Sequence, residues 1–83
     1  MRISIRDDDS GYVNYNPNLT YMIYIDGILT KESDQCITFD QELGFALCYK
    51  LDEKGLPVID KTLAEFEEVE IKGVITFKTE KRR

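Results

Sequence analysis

The sequence predicts an all-β domain: a compact sandwich or partly open barrel of five to seven short, mainly antiparallel strands, with at most one helical turn. Three observations carry that expectation. Apolar and polar residues alternate over residues 68–78 (EVEIKGVITFK), with Val69, Ile71, Gly73, Ile75 and Phe77 on one face. Asp26-Gly27 divides two runs of β-formers, and a type I′ turn needs the positive φ that these two residue types tolerate. Clusters of Gly, Pro, Asn and Asp punctuate the remaining segments at short intervals.

Taken in order, residues 2–6 (RISIR) alternate strictly, which places Ile3 and Ile5 on one face of a half-buried strand. DDDSG at 7–11 ends it. YVNYNPNLT then mixes aromatics with Asn and Pro17, which has no amide donor and holds Asn16 extended, so a loop across the sheet end is expected. Around Asp26-Gly27 a two-residue turn pairs Ile25 with Ile28, Tyr24 with Leu29 and Ile23 with Thr30. Tyr21, Ile23 and Ile25 then share one face, and Met22 and Tyr24 the other. QCITF (35–39) and FALCYKL (45–51) form a second hairpin around DQELG, with Gly44 suited to a left-handed position. The expected register sets Phe39 against Phe45, Ile37 against Leu47 and Cys36 against Cys48. DEKGLP (52–57) is a turn, VID a short strand, and KTLAEFEE (61–68) a loop or a single helical turn. Gly73, inside the longest alternating run, marks a bulge or a close backbone approach.

The 83 residues make one domain with a thin core, taken as residues 1–77. Residues 78–83 (KTEKRR) carry four basic groups and one acidic, net +3, leaving seven basic against fifteen acidic groups on residues 1–77, net −8. The end reads as a frayed basic tail. The acidic body lacks the Lys and Arg that neutralise phosphates, so direct nucleic-acid binding is not expected. No window is long and apolar enough for a membrane helix, and MRISIRDDD has no apolar signal region. The expected setting is therefore intracellular: the cytoplasm of a host cell, or a virion.

Histidine is absent, which removes the usual general base, the commonest metal ligand and every Ser-His or Cys-His nucleophile pair. Cys36 and Cys48 face each other in the register of the second hairpin, close enough for a cross-strand disulfide in principle, but in a reducing compartment they read as small apolar fillers, without neighbours to lower a thiol pKa and without further ligands for zinc. Asp7 and Asp9 have the spacing of the first two ligands of a calcium loop, but Tyr12 stands where that loop needs Gly and Asn18 where it needs Glu. Asn18-Leu19-Thr20 matches a glycosylation acceptor, without consequence for an intracellular chain. No catalytic residue, cofactor or metal is expected.

What remains is contact. Tyr12 and Tyr15 lie among acids and Asn, so Asp7, Asp8, Asp9, Tyr12 and Tyr15 are the candidate partner-binding patch, Tyr being enriched at binding hot spots. Open sheet edges offer a second route, by adding a strand from another chain. The expected partner is another protein or a second copy in a homo-oligomer. The succession RDDDSGYVNYNPNLTYMIYIDG, CYKLDEKGLPVID and KGVITFK resembles short uncharacterised proteins encoded in phages and prophages. That resemblance implies a phage accessory or virion-associated protein and no activity. Two other readings stay open. One is an inhibitor whose acids imitate nucleic acid, which requires them on one face. The other is a small hydrolase or metal-dependent enzyme using Asp7, Asp9 or Asp60, which requires a concave pocket where carboxylates converge.

Overall fold

A computed structural model of the chain describes residues 1–62 and 64–82, apart from the side chain of residue 34. The strands are β1 (Arg2–Ser4), β2 (Leu19–Ile25), β3 (Ile28–Leu29), β4 (Cys36–Asp40), β5 (Phe45–Tyr49), β6 (Ile59–Asp60), β7 (Glu65–Phe66), β8 (Glu68–Lys72) and β9 (Ile75–Lys81). Seven of them make two antiparallel layers, in the orders β1-β4-β5-β8 and β3-β2-β9, while β6 and β7 form a small separate hairpin. Helical content among the described residues is two 3₁₀ turns, Ser10–Asn14 and Ser33–Gln35, both in connections. The expected all-β sandwich is the observed fold.

The two layers face each other across one apolar row each. In the larger sheet, Ile3, Phe39, Ala46 and Ile71 are successive cross-strand neighbours. In the smaller, Ile23 faces Phe77 and Ile25 faces Ile75. Ile3, Ile23, Phe39, Ala46, Cys48 and Ile75 are the buried centre, against which Tyr21, Val69, Ile71 and Phe77 pack. Phe39 and Phe77 meet across the layers with ring centroids 5.0 Å apart and planes tilted by 51°, a separation at which tilted rings attract.

The first hairpin has the predicted register, Ile25 with Ile28 and Tyr24 with Leu29, and Thr30 N–H reaches Ile23 O at 3.0 Å. Asp26 and Gly27 take φ of 53° and 83°, as a type I′ turn demands. The last alternating run is more unusual. It is not one strand: β8 belongs to the larger sheet and β9 to the smaller, so the chain changes layer between residues 72 and 75. Gly73 sits at the corner with φ 155°, and a Cβ there would lie 2.8 Å from Ile25 Cγ2 and 3.0 Å from the Asp26 carboxylate. Close approach is therefore the reason for glycine. Val69, Ile71, Ile75 and Phe77 all still face the core, so the sequence phase survives the change of sheet.

Four expectations need correction. The first strand ends at Ser4, which is buried, whereas Ile5 is 44% exposed. Alternation fails there because both faces of β1 and β4 are covered: Ser4 Oγ and Thr38 Oγ1 satisfy each other at 2.7 Å on the second face. The second hairpin keeps Cys36 opposite Cys48, but the register shifts at Ile37, giving Thr38 opposite Leu47, Phe39 opposite Ala46 and Asp40 opposite Phe45. The extra residue on β4 brings Asp40 into the strand, where its carboxylate accepts the Glu42 and Leu43 amides at 2.9 Å and shortens the loop; Gly44 takes φ 71° as expected. Residues 61–68 contribute strand β7, not a helical turn, because Phe66 and Glu65 pair with Ile59 and Asp60; Leu63 lies outside the described residues. The basic end does not fray at residue 78. Lys78, Thr79, Glu80 and Lys81 pair with Met22, Tyr21, Thr20 and Leu19, and Arg82 N–H donates to Asn18 O at 2.8 Å; Arg83 lies outside the described residues.

Candidate contact surface

The predicted patch of residues 7–15 splits into parts with different work. Asp9 is structural. It takes a two-pronged hydrogen bond from Arg2, Nε to Oδ1 at 2.9 Å and Nη2 to Oδ2 at 2.8 Å, and it caps the first 3₁₀ turn by accepting Gly11 N–H at 2.7 Å. Arg2 also reaches Asp40 at 3.2 Å and lies 5.4 Å from the Phe45 ring. One guanidinium thus ties β1, the 7–9 turn and the β4–β5 loop together. Its hydrogen bond, helped by the Gly11 amide, lowers Asp9 to about 2. Asp40 is likewise lowered, first by the Leu43 amide and then by Arg2. Tyr15 is half-buried against Tyr21, centroids 5.9 Å apart. Asp7, Asp8 and Tyr12 remain exposed. Sequence reading missed Arg2 because nothing local marks a residue whose partners lie seven and thirty-eight positions away.

The same chemistry engages several other aspartates. Asp26 accepts Val74 N–H at 2.8 Å, Asp52 accepts Lys54 and Leu56 N–H at 2.8 and 3.0 Å, and Asp60 accepts Thr62 N–H at 2.9 Å. With Asp9 and Asp40, four aspartates each close a turn of their own, while Asp26 ties its turn to the corner between β8 and β9. Asp9 and Asp40 meet at the Arg2 guanidinium. Asp9 and Asp60 are each engaged with their own turns, and among the described residues no three metal-ligating side chains gather. No helix among those residues is long and apolar enough to cross a membrane. Cys36 and Cys48 are free thiols at a paired position. Hydrogen bonding to Cys48, then burial, pushes the Cys36 thiol up, so it stays protonated and packs as a small apolar group.

Two features of the surface are open. The first is a cleft of about 350 Å³ where the layers part between β1 and β2, with Ile3, Ile5, Tyr15, Tyr21 and Ile37 among its walls and Arg82 on its lining. That volume is at the lower end of small-molecule sites.

The second is an edge. In the β2–β9 ladder, Asp26 N–H donates to Val74 O at 2.9 Å and Arg82 N–H to Asn18 O at 2.8 Å. Hydrogen-bonded pairs alternate in an antiparallel ladder. The even residues of β9 therefore bond to β2, and the odd ones turn their N–H and C=O outward. Ile75 O is taken by Gln41 Nε2 at 3.1 Å. Among the described residues nothing meets the backbone groups of Phe77, Thr79 and Lys81. The margins of β1 and β2 are more covered: Ser33 Oγ accepts Ile23 N–H at 2.8 Å and donates to Tyr21 O at 3.2 Å on β2, and Asn14 donates to Arg2 O at 2.8 Å on β1; the outer edge of β8 is open as well. Nothing in the charged run KTEK marks this edge in the sequence. Comparison with protein-family models, with curated proteins and with solved structures finds no match.

Proposed function

We propose that this protein is a contact module that works by taking another polypeptide strand onto the free edge of β9. The observation that carries the proposal is the row of outward backbone groups at Phe77, Thr79 and Lys81 on the longer open strand of the smaller sheet. Main-chain pairing supplies affinity in such recognition, and side chains beside the new strand supply selectivity. The edge is built for specificity: Lys78, Glu80 and Lys81 flank it with alternating charge, which discourages indiscriminate stacking of sheets. Asp7, Asp8 and Tyr12 form a smaller exposed surface that adds contacts away from the edge. The resemblance to short phage-encoded proteins supports an accessory or virion-associated setting for such a module.

Selection of binders from a random peptide display library tests this. Bound peptides should slow amide exchange at Phe77, Thr79 and Lys81. Thr79→Pro, which removes one outward N–H while leaving the β2 ladder intact, should abolish their binding. Selected binders that protect none of these amides, or that bind Thr79→Pro equally well, would overturn the proposal.

A further inference from the structure

We infer that the strand received by β9 is β9 of a second copy, in an antiparallel pairing centred on Thr79. The inference rests on the edge reading above and adds the partner's identity. Because the odd residues face outward, two β9 edges can pair only odd residue to odd residue. About Thr79, this sets Thr79 against Thr79, Phe77 against Lys81 and Lys78 against Glu80, with the last two contacts repeated by the two-fold axis. Lys78 and Glu80 are exposed on the face away from the core, so each copy offers a cation opposite the other's carboxylate. Opposite charges and Thr–Thr pairs are favourable cross-strand neighbours, and like charges are not.

The neighbouring registers are rejected by the same residues. Moving the axis one residue towards the N-terminus sets Lys78 against Lys78; moving it one residue the other way sets Glu80 against Glu80. The charge pattern of KTEK thus selects one of these three registers, and a register about Phe77 would need the Ile75 carbonyl that Gln41 already holds at 3.1 Å. The other open edge contrasts. Lys50 N–H donates to Glu67 O and Gly73 N–H to Gly44 O, so β8 turns Glu68, Glu70 and Lys72 outward; pairing about its middle residue would set Glu70 against Glu70, and the register that sets Glu70 against Lys72, about Ile71, would run into the Gly73 corner where β8 ends. Joined through β9, the two three-stranded sheets become one continuous six-stranded sheet. The interface is isologous and closes on itself, so growth stops at the dimer.

Sedimentation over a wide range of protein concentration should show a monomer–dimer equilibrium. Amides of Phe77, Thr79 and Lys81 should exchange slowly in the dimer and quickly in the monomer. Lys78→Glu and Glu80→Lys should each weaken the dimer about tenfold or more, since each sets like charges opposite one another twice per dimer. The double variant Lys78→Glu with Glu80→Lys should restore it. Protection of the even-numbered amides, Thr76, Lys78 and Glu80 in the parent, reports that each variant is folded. A monomer at all concentrations refutes the second copy and leaves the edge reading to the peptide experiment. A dimer that ignores charge reversal refutes the register. A dimer in which the three outward amides still exchange quickly uses another face, and refutes both the inference and the importance of this edge.

Discussion

Replacing Gly73 with alanine should unfold the corner that lets one sequence run serve both sheets. Two costs add. The backbone at φ 155° lies where side-chain-bearing residues rarely go, and holding a residue in such a region costs on the order of 1–3 kcal/mol. The new methyl would meet Ile25 Cγ2 at 2.8 Å and both Asp26 carboxylate oxygens at 3.0 Å, well inside ordinary carbon contact of about 3.5–4.0 Å. Ile25 is pinned in the β2 ladder and cannot retreat freely. Asp26 can, at the expense of its 2.8 Å bond to Val74 N–H, an exposed charge-assisted bond contributing about 1 kcal/mol. The sum is about 3 kcal/mol, and at roughly 4–8 °C per kcal/mol for a domain of this size the midpoint should fall by about 12–24 °C. Thermal unfolding followed by circular dichroism measures it. Gly27→Ala isolates the conformational part: φ is 83° there, but nothing lies within 4 Å of the added Cβ, so about 1–2 kcal/mol is expected. If Gly73→Ala melts within a degree or two of the parent, or no lower than Gly27→Ala, then close approach is not what selects glycine at the corner.

Other predictions concern single contacts. Asp9 and Asp40 titrate lower folded than unfolded, so their contribution is fully present above the usual carboxylate range and is lost as pH falls towards about 2. Denaturant titrations between pH 5 and pH 2 should show Asp9→Asn losing less stability over that interval than the parent; parallel curves would show that Arg2 does not hold Asp9 ionised. Ser33→Ala removes the hydroxyl that satisfies both Ile23 N–H and Tyr21 O, and should cost about 1–3 kcal/mol in urea unfolding, whereas a neutral result would mean the β2 edge is satisfied by water. Cys48 is fully buried, so maleimide should label it about a hundredfold or more slower in the native protein than in urea. Labelling at the unfolded rate would place that thiol outside the core.

Local chemistry determined what could be read from the chain alone. Asp26-Gly27 names its turn because two residues carry all the required φ freedom, and period two over residues 68–78 names a core-facing set because alternation is a property of the strand itself. The acidic turns were legible as turns for the same reason. What the chain could not show is where neighbours come from. Whether Ile5 or Ser4 is buried depends on a second covering layer, and the shift at Ile37 depends on which loop satisfies Asp40. Asp9 passes from candidate binder to scaffold because Arg2 and the Gly11 amide fold onto it. The charged end of β9 becomes a strand because β2 offers it a ladder of amides and carbonyls. That ladder leaves alternate backbone groups facing solvent, and their direction is set by pairing, which no residue carries by itself.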